Sequence, residues 1–234
     1  MHHVVVERWS RRASPLHARD ARAKLGALAA FLIAVSTTPP VAQTAFLGYA
    51  ALLAMAIGAA KLPAAAMLRR AALVLPFSAS FAVITWWSGD RMRAISLAEK
   101  SFLSGLAALL LIATTPLAEL LRGLEWLRAP RALLLVIQFL YRYLFVISEQ
   151  AQHMRLAARS RRGTGKAGGF QAAGGALGVL FARSWERADG IYQAMLARGF
   201  SGHFPPLGAA RFGPGDAMFL AIAIMLASGI RLVA

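Results

Sequence analysis

The sequence predicts an all-α integral membrane protein of about five transmembrane helices, with a cytoplasmic three-helix insert before the last crossing. Three observations carry that prediction. Of 234 residues, 58% are hydrophobic, above the roughly 45–50% of a soluble domain. The apolar residues come in long runs parted by short polar or proline-bearing breaks, the signature of spanning helices. The basic residues, 26 Lys+Arg against 10 Asp+Glu for a formal charge of +16, fall mainly between those runs. The preference of Lys and Arg for the cytoplasmic side explains that placement, whereas in a soluble chain the same excess would point to nucleic acid. Cysteine is absent, which excludes disulfides, thiolate metal sites and cysteine catalysis.

Residues 1–24 are polar and basic, with Arg8, Arg11, Arg12, Arg19, Arg22 and Lys24 against Glu7 and Asp20. They read as a cytoplasmic segment lying along the headgroups. A secretory signal with residues 25–35 as its apolar core is the lesser alternative, because no clear cleavage site precedes Pro39-Pro40. The first crossing is the uncharged run 25–38, short for a span, and the second is 41–60. Pro39-Pro40 breaks the two into a hairpin with an outside turn at 36–40. Lys61, Arg69 and Arg70 then mark an inside loop. The third crossing is 71–87, with Trp86 and Trp87 placed for the outer aromatic belt. After a turn at 88–91 the fourth crossing runs 95–115, with Glu99 and Lys100 near its outer mouth.

A short helix over 115–128 follows, with Leu117, Leu120, Leu121, Leu124 and Leu127 at helical spacing and Pro130 closing it off. The run 132–147 has the hydropathy of a span but only 16 residues, and it carries Gln138 and Arg142. Arginine at bilayer depth costs about 2.5–3.5 kcal/mol or more. Both flanks are basic: Arg122, Arg128 and Arg131 before, Arg155, Arg159, Arg161 and Arg162 after. A spanning helix would put one of those clusters outside. The run therefore reads as an amphipathic helix at the inner interface continuing to Arg162, about 30 residues or roughly 45 Å. If it spans instead, there are six crossings and both termini lie inside. The glycine-rich stretch 163–175 reads as a flexible link.

Residues 176–199 show the cleanest amphipathic pattern. Leu177, Leu180, Phe181, Ser184, Trp185, Ala188, Ile191, Tyr192, Met195 and Leu196 fall on one face, and Arg183, Glu186, Arg187, Asp189 and Gln193 on the other. Gly199 ends that helix. Residues 201–216, with three prolines and four glycines, form a loop, and 217–233 is the last crossing. The organisation is thus 1–24 cytoplasmic, 25–115 four transmembrane helices, 116–215 coupling helices and 216–234 the last transmembrane helix.

Familiar catalytic patterns are missing. Gly163-Thr164-Gly165-Lys166 fails the phosphate-loop pattern, which needs glycine where Ser160 stands and Ser or Thr where Ala167 stands. Gly199-Phe200-Ser201-Gly202-His203 fails the nucleophile elbow at its last position. There is no HExxH, and His153 and His203 are isolated. No acid lies deep in an expected span, so the chain neither catalyses nor conducts alone. A self-contained membrane enzyme or channel is the alternative of a different class. A nucleic-acid binder is disfavoured because Phe181, Trp185 and Tyr192 lie on the apolar face.

What remains is a pair of tripeptides, Ala158-Arg159-Ser160 and Ala197-Arg198-Gly199, each at the C-terminal end of a long helical pattern. The bland reading counts the arginines as two more inside charges. The sharper one gives each helix end a guanidinium plug, since the planar fork makes bidentate, always-charged contacts to carboxylates.

With these residues the chain resembles the transmembrane T component of energy-coupling factor (ECF) transporters, in particular the cobalt/nickel-group, CbiQ-like members. The resemblance rests on Ala158-Arg159-Ser160, on Glu186-Arg187-Ala188 through Ala194-Met195-Leu196-Ala197-Arg198-Gly199-Phe200, and on Ser14-Pro15-Leu16-His17 with Asp20, Arg22 and Lys24. Ala21 stands where the family often has proline. The resemblance implies a non-catalytic, multi-pass subunit in a bacterial cytoplasmic (inner) membrane. It implies two cytoplasmic ATP-binding cassette subunits, a membrane substrate-binding subunit and the lipid bilayer as partners, and no nucleic acid. Ala158, Arg159, Ser160, Ala197, Arg198 and Gly199 would dock the ATPases, with Arg159 on one subunit and Arg198 on the other. Leu133, Leu134, Ile137, Tyr141, Leu144 and Phe145 would contact the substrate subunit. ATP and Mg would sit in the partners, with no cofactor and no metal site in this chain. Cobalt is the first expectation for the cargo, with nickel or a vitamin such as biotin behind it.

Overall fold

The structure is a computed structural model, and it describes residues 9–10, 14–161, 169–202 and 212–233. Among these residues every regular element is helical. The chain forms two compact units, one of Met1–Arg128 with Ala210–Ala234 and one of Ala129–Ala209.

In the first unit, helix α1 (Ala21–Thr37) begins at Asp20, whose Oδ1 accepts the Arg22 N–H at 2.8 Å. That cap starts the helix four residues ahead of the apolar run. Before Pro39-Pro40 the chain turns extended at Thr38, as a residue near proline must. The hydroxyls of Ser36, Thr37 and Thr38 fold back onto the carbonyls of Ile33 and Ala34, so the helix end keeps its polar groups satisfied. Helix α2 (Gln43–Ala59) ends with Lys61 at φ 54, Leu62 N–H reaching Ile57 O and Lys61 N–H reaching Gly58 O. This is a Schellman stop built on lysine instead of glycine.

The third crossing begins earlier than expected. Helix α3 (Ala64–Ala71) opens after Pro63, passes through a short 3₁₀ turn at Ala72–Val74, and continues as α4 (Leu75–Trp87). Arg69 and Arg70 therefore lie on a helix, not in a loop. The 3₁₀ turn has a local cause: Pro76 has no N–H to give the Ala72 carbonyl, so the i→i−4 ladder breaks there. Arg70 packs over the buried Trp9 ring at 4.4 Å.

Helix α5 (Arg91–Thr114) also starts four residues early. Asp90 Oδ1 accepts the Arg93 N–H, and its other oxygen pairs with Arg93 Nε at 3.1 Å. Glu99 consequently lies more than two turns into the helix, next to Lys100, whose bonds to the Ser36 and Thr38 carbonyls keep this level at the expected outside turn. Helix α6 (Leu117–Trp126) comes next. Helix α9 (Pro214–Val233; α7 and α8 belong to the second unit) closes the chain. It opens at Pro214, inside the expected loop 201–216, because proline suits the first helical position and Asp216 Oδ2 takes the Gly213 N–H at 3.1 Å. Residues 203–211 of that loop lie outside the described residues.

Phe31, Val35, Phe46, Tyr49, Leu53, Ile57, Met67, Leu103 and Leu106 form the core of this unit. Phe31 meets Tyr49 edge-on at 5.5 Å, and Tyr49 Oη reaches both Thr38 Oγ1 and the Ala227 carbonyl. Gly26 faces Leu220, and Gly48 faces Ile230. These pairs run α9 parallel to α1 and antiparallel to α2. The antiparallel pair α1 and α5 cap each other with lysines. Lys24 Nζ donates to Thr114 O at 2.9 Å, and Lys100 Nζ donates to Ser36 O and Thr38 O at 3.0 and 2.7 Å. Each cation sits on the carbonyl-rich end of its neighbour, where the helix dipole favours it.

Among the described residues four helices are long and apolar enough to cross a membrane by length and composition: Ala64–Trp87, Arg91–Thr114, Arg131–Ala158 and Pro214–Leu232; Gln43–Ala59 is a shorter apolar helix. With 17 residues each, α1 and α2 reach about 26 Å, near the thin limit of a bilayer core of about 30 Å.

The second unit holds α7 (Arg131–Arg161) and α8 (Gly169–Ala197), which touch one another. The expected link 163–175 is shorter than the glycine count suggested. Residues 162–168 lie outside the described residues, and α8 already includes Gly169, Gly174 and Gly175. Glycine costs a helix interior about 1 kcal/mol relative to alanine. Here Phe170, Gln171, Ala172, Ala173, Ala176 and Leu177 surround the glycines, and a helix of 29 residues propagates through them.

Candidate functional site

The two arginine tripeptides occupy different local structures. Ala158-Arg159-Ser160 lies within the last turn of α7. Ser160 Oγ donates to the Ala157 carbonyl at 3.0 Å, and Ala158 and Ser160 are exposed. The side chain of Arg159 lies outside the described residues. Ala197-Arg198-Gly199 is a helix stop. Ala197 is the last residue of α8, and Gly199 takes φ 78. The Phe200 N–H reaches Met195 O at 3.0 Å and the Gly199 N–H reaches Leu196 O at 2.9 Å, again a Schellman pattern. Glycine is favoured there because a side chain at positive φ is strained. The stop leaves Arg198 exposed at the tip, beside carbonyls whose partial charge complements it.

The six apolar residues expected to face a partner on α7 do not form one uniform surface. Leu133 and Leu144 are open, Ile137, Tyr141 and Phe145 are half-buried, and Leu134 is only 5% exposed, already covered within this chain. Tyr141 and Phe145 pair edge-on at 5.5 Å. The sequence reading missed a second strip, with Val136 and Leu140 open and Phe139 stacked on Tyr143 at 6.4 Å. One face of a 3.6-residue period does not capture a helix that is apolar on more than one side. On α8 the stripe is open as well: Phe181 is 71% and Trp185 69% exposed, with ring centres 6.5 Å apart.

Reactive groups are sparse in this unit. His153 and Glu149 form an exposed pair at 3.7 Å on α7. Among the described residues no three of His, Cys, Asp and Glu gather as a metal site would need. Helix ends bearing cations, with broad apolar flanks, are equipped to bind other proteins and lipid.

The model of the CbiQ family, described as cobalt transport protein, matches residues 12–207. A nickel permease, LarQ, of Lactiplantibacillus plantarum is 32% identical over 91 residues, which cover 39% of this chain and 33% of that protein. The cobalt transport protein CbiQ of Rhodobacter capsulatus is 31% identical over 93 residues, 39% of this chain and 38% of that one. A protein of Methanocaldococcus jannaschii is 34% identical over 102 residues, 43% of this chain and 38% of its own length. The matched stretches thus span well under half of these relatives.

Proposed function

The chain belongs to the CbiQ family of cobalt transport proteins, and from that premise we propose that it is the transmembrane coupling subunit of an ECF-type importer. It takes up ATP-driven motion from two cytoplasmic ATP-binding cassette subunits and passes it to a membrane substrate-binding subunit. It sits as a multi-pass protein in a bacterial cytoplasmic membrane. ATP hydrolysis belongs to the partners, and this chain does no chemistry of its own.

The observation that carries this reading is that both long helices of the second unit end in an Ala-Arg-Ser/Gly tripeptide. Two helix ends that each carry one arginine fit two like partner subunits. Arg159 and Arg198 act as plugs, each for a carboxylate-lined groove, where charge-assisted bonds are about twice as strong as neutral ones. Ala158 and Ala197 keep the approach close. Ser160 bonds its own helix, and Gly199 stops α8 so that Arg198 stands at the end. The apolar residues of α7, with Leu133 and Leu144 outermost, meet the substrate-binding subunit. Cobalt is the cargo favoured by the family, nickel is supported by the permease relative, and a vitamin such as biotin is the remaining reading. The metal is substrate and is recognised in the partner.

Arg159→Glu combined with Arg198→Glu tests the proposal. Reversing both charges turns two attractive contacts into repulsion, each charged hydrogen bond being worth about 1.5–3 kcal/mol. Uptake should fall to background and the ATPase subunits should no longer co-purify, while the chain still inserts at its normal level. Normal uptake by a well-expressed double variant removes the assigned role.

A further inference from the structure

The chain leaves the first unit through α5 and α6 and returns to it at Gly213, and both routes grip the same six residues. At the return, Asp216 uses both carboxylate oxygens: Oδ2 accepts the Gly213 N–H, and Oδ1 accepts the Asp20 N–H at 3.1 Å. One side chain thus ties the N-terminal ends of α9 and α1 together. At the exit, Gly123 of α6 closes onto α1. A Cβ there would stand 2.7 Å from Leu25 Cδ1 and 3.5 Å from the Ala21 Cβ. Between them Lys24, 5% exposed, donates to Thr114 O at 2.9 Å and to His17 O at 3.2 Å. That fixes the end of α5, three residues before α6 begins. All of these contacts lie within the first unit.

A lever transmits force only if its roots do not slip. Hydrogen bonds to charged groups are the costly kind to break, and a glycine contact this close leaves no slack for a helix to slide. We infer that residues 20–25 are the fulcrum of the coupling movement: the seat on which both roots of residues 129–209 are clamped and which stays closed through the transport cycle. This rests on the coupling role proposed above.

The test uses the full complex in proteoliposomes, with substrate moved per ATP hydrolysed as the readout. The chain has no cysteine, so Ala21→Cys with Gly123→Cys introduces a single pair, and because a side chain at 123 meets Leu25 the reduced form of the same double variant is the reference. A Cβ separation of 3.5 Å falls in the disulfide range of about 3.5–4.5 Å. Oxidation should leave the ratio unchanged from the reduced form of the same protein. Uptake that stops on oxidation and returns with reductant overturns the inference, because the contact then has to open. Asp216→Asn works in the opposite sense, replacing one acceptor oxygen with a donor. The variant complex should assemble and hydrolyse ATP, while the ratio falls by about fivefold or more. An unchanged ratio, or loss of assembly, overturns the inference. Wild-type chain that recruits no ATPase subunit at all refutes the coupling role instead, and that is known before either variant is made.

Discussion

Lys24→Met is the sharpest probe of what holds the first unit together. Methionine keeps the length and the aliphatic stem but removes the ammonium. Two hydrogen bonds go with it, to Thr114 O at 2.9 Å and His17 O at 3.2 Å. Hydrogen bonds to a charged group contribute about 1.5–3 kcal/mol each, and the carbonyls left behind cost about 1–3 kcal/mol if nothing replaces the donor. Against that, methionine no longer has to desolvate a charge in a site where Lys24 is 5% exposed. The balance is a loss of about 3 kcal/mol. For a chain of this size that corresponds to a fall in Tm of roughly 6–12 °C. The assay is thermal unfolding of the purified chain in one detergent at one pH, wild type beside variant. A shift below about 2 °C would mean that the ammonium contributes little net stability there, and the reciprocal lysine capping of α1 and α5 would lose its energetic meaning.

Three further outcomes follow from the same geometry. Gly199→Ala puts a methyl group at φ 78 and should cost about 1–2 kcal/mol; since nothing lies within 4 Å, the loss should appear as fraying of the end of α8 in hydrogen exchange and weaker ATPase recruitment, with the overall Tm little changed. Gly123→Ala and Gly58→Ala form a matched pair: the first meets Leu25 Cδ1 at 2.7 Å and the second meets nothing within 4 Å. The first should lower Tm through about 1–3 kcal/mol of overpacking, the second should hold or raise it, and equal shifts would refute the close approach of α6 to α1. Ser148→Cys, the only thiol in the chain, should resist an impermeant reagent added outside cells and react once they are opened; labelling from outside would mean that α7 crosses the bilayer.

The elements were legible in the sequence, but their starts were not, and the errors share one direction. α1, α3, α5 and α9 begin at Ala21, Ala64, Arg91 and Pro214, each upstream of its apolar run. A helix starts where a cap satisfies its free N–H groups. Asp20, Asp90 and the Gly213–Asp216 pair do this from inside polar stretches that hydropathy assigns to loops. Lys24 was hidden for a related reason, since a lysine beside an apolar run reads as an inside charge until the antiparallel neighbour is seen. The tripeptides were legible as residues, and Gly199 as a stop. The continuation of α7 through Ala158-Arg159-Ser160 was legible too, since the expected helix runs to Arg162 and the observed one to Arg161. Leu134 belonged to the right pattern and still turned out covered, which periodicity within a single helix does not reveal.

The direction of α9 bears on a question that composition left open. By length and apolar content Arg131–Ala158 qualifies as a span, and one added crossing would bring the chain back on the opposite side. The last helix would then run antiparallel to the first. Instead Asp216 bonds Asp20, and Gly26 meets Leu220, so the two run the same way. If α7 crossed, α8 would have to cross back, carrying Arg183, Glu186, Arg187 and Asp189 through the bilayer. At about 2.5–3.5 kcal/mol for each charge at mid-depth, the return passage would cost about 10 kcal/mol or more. An interfacial helix avoids that cost by laying its apolar strips against lipid and protein while its arginines stay in water. The parity of the first unit thus favours five crossings.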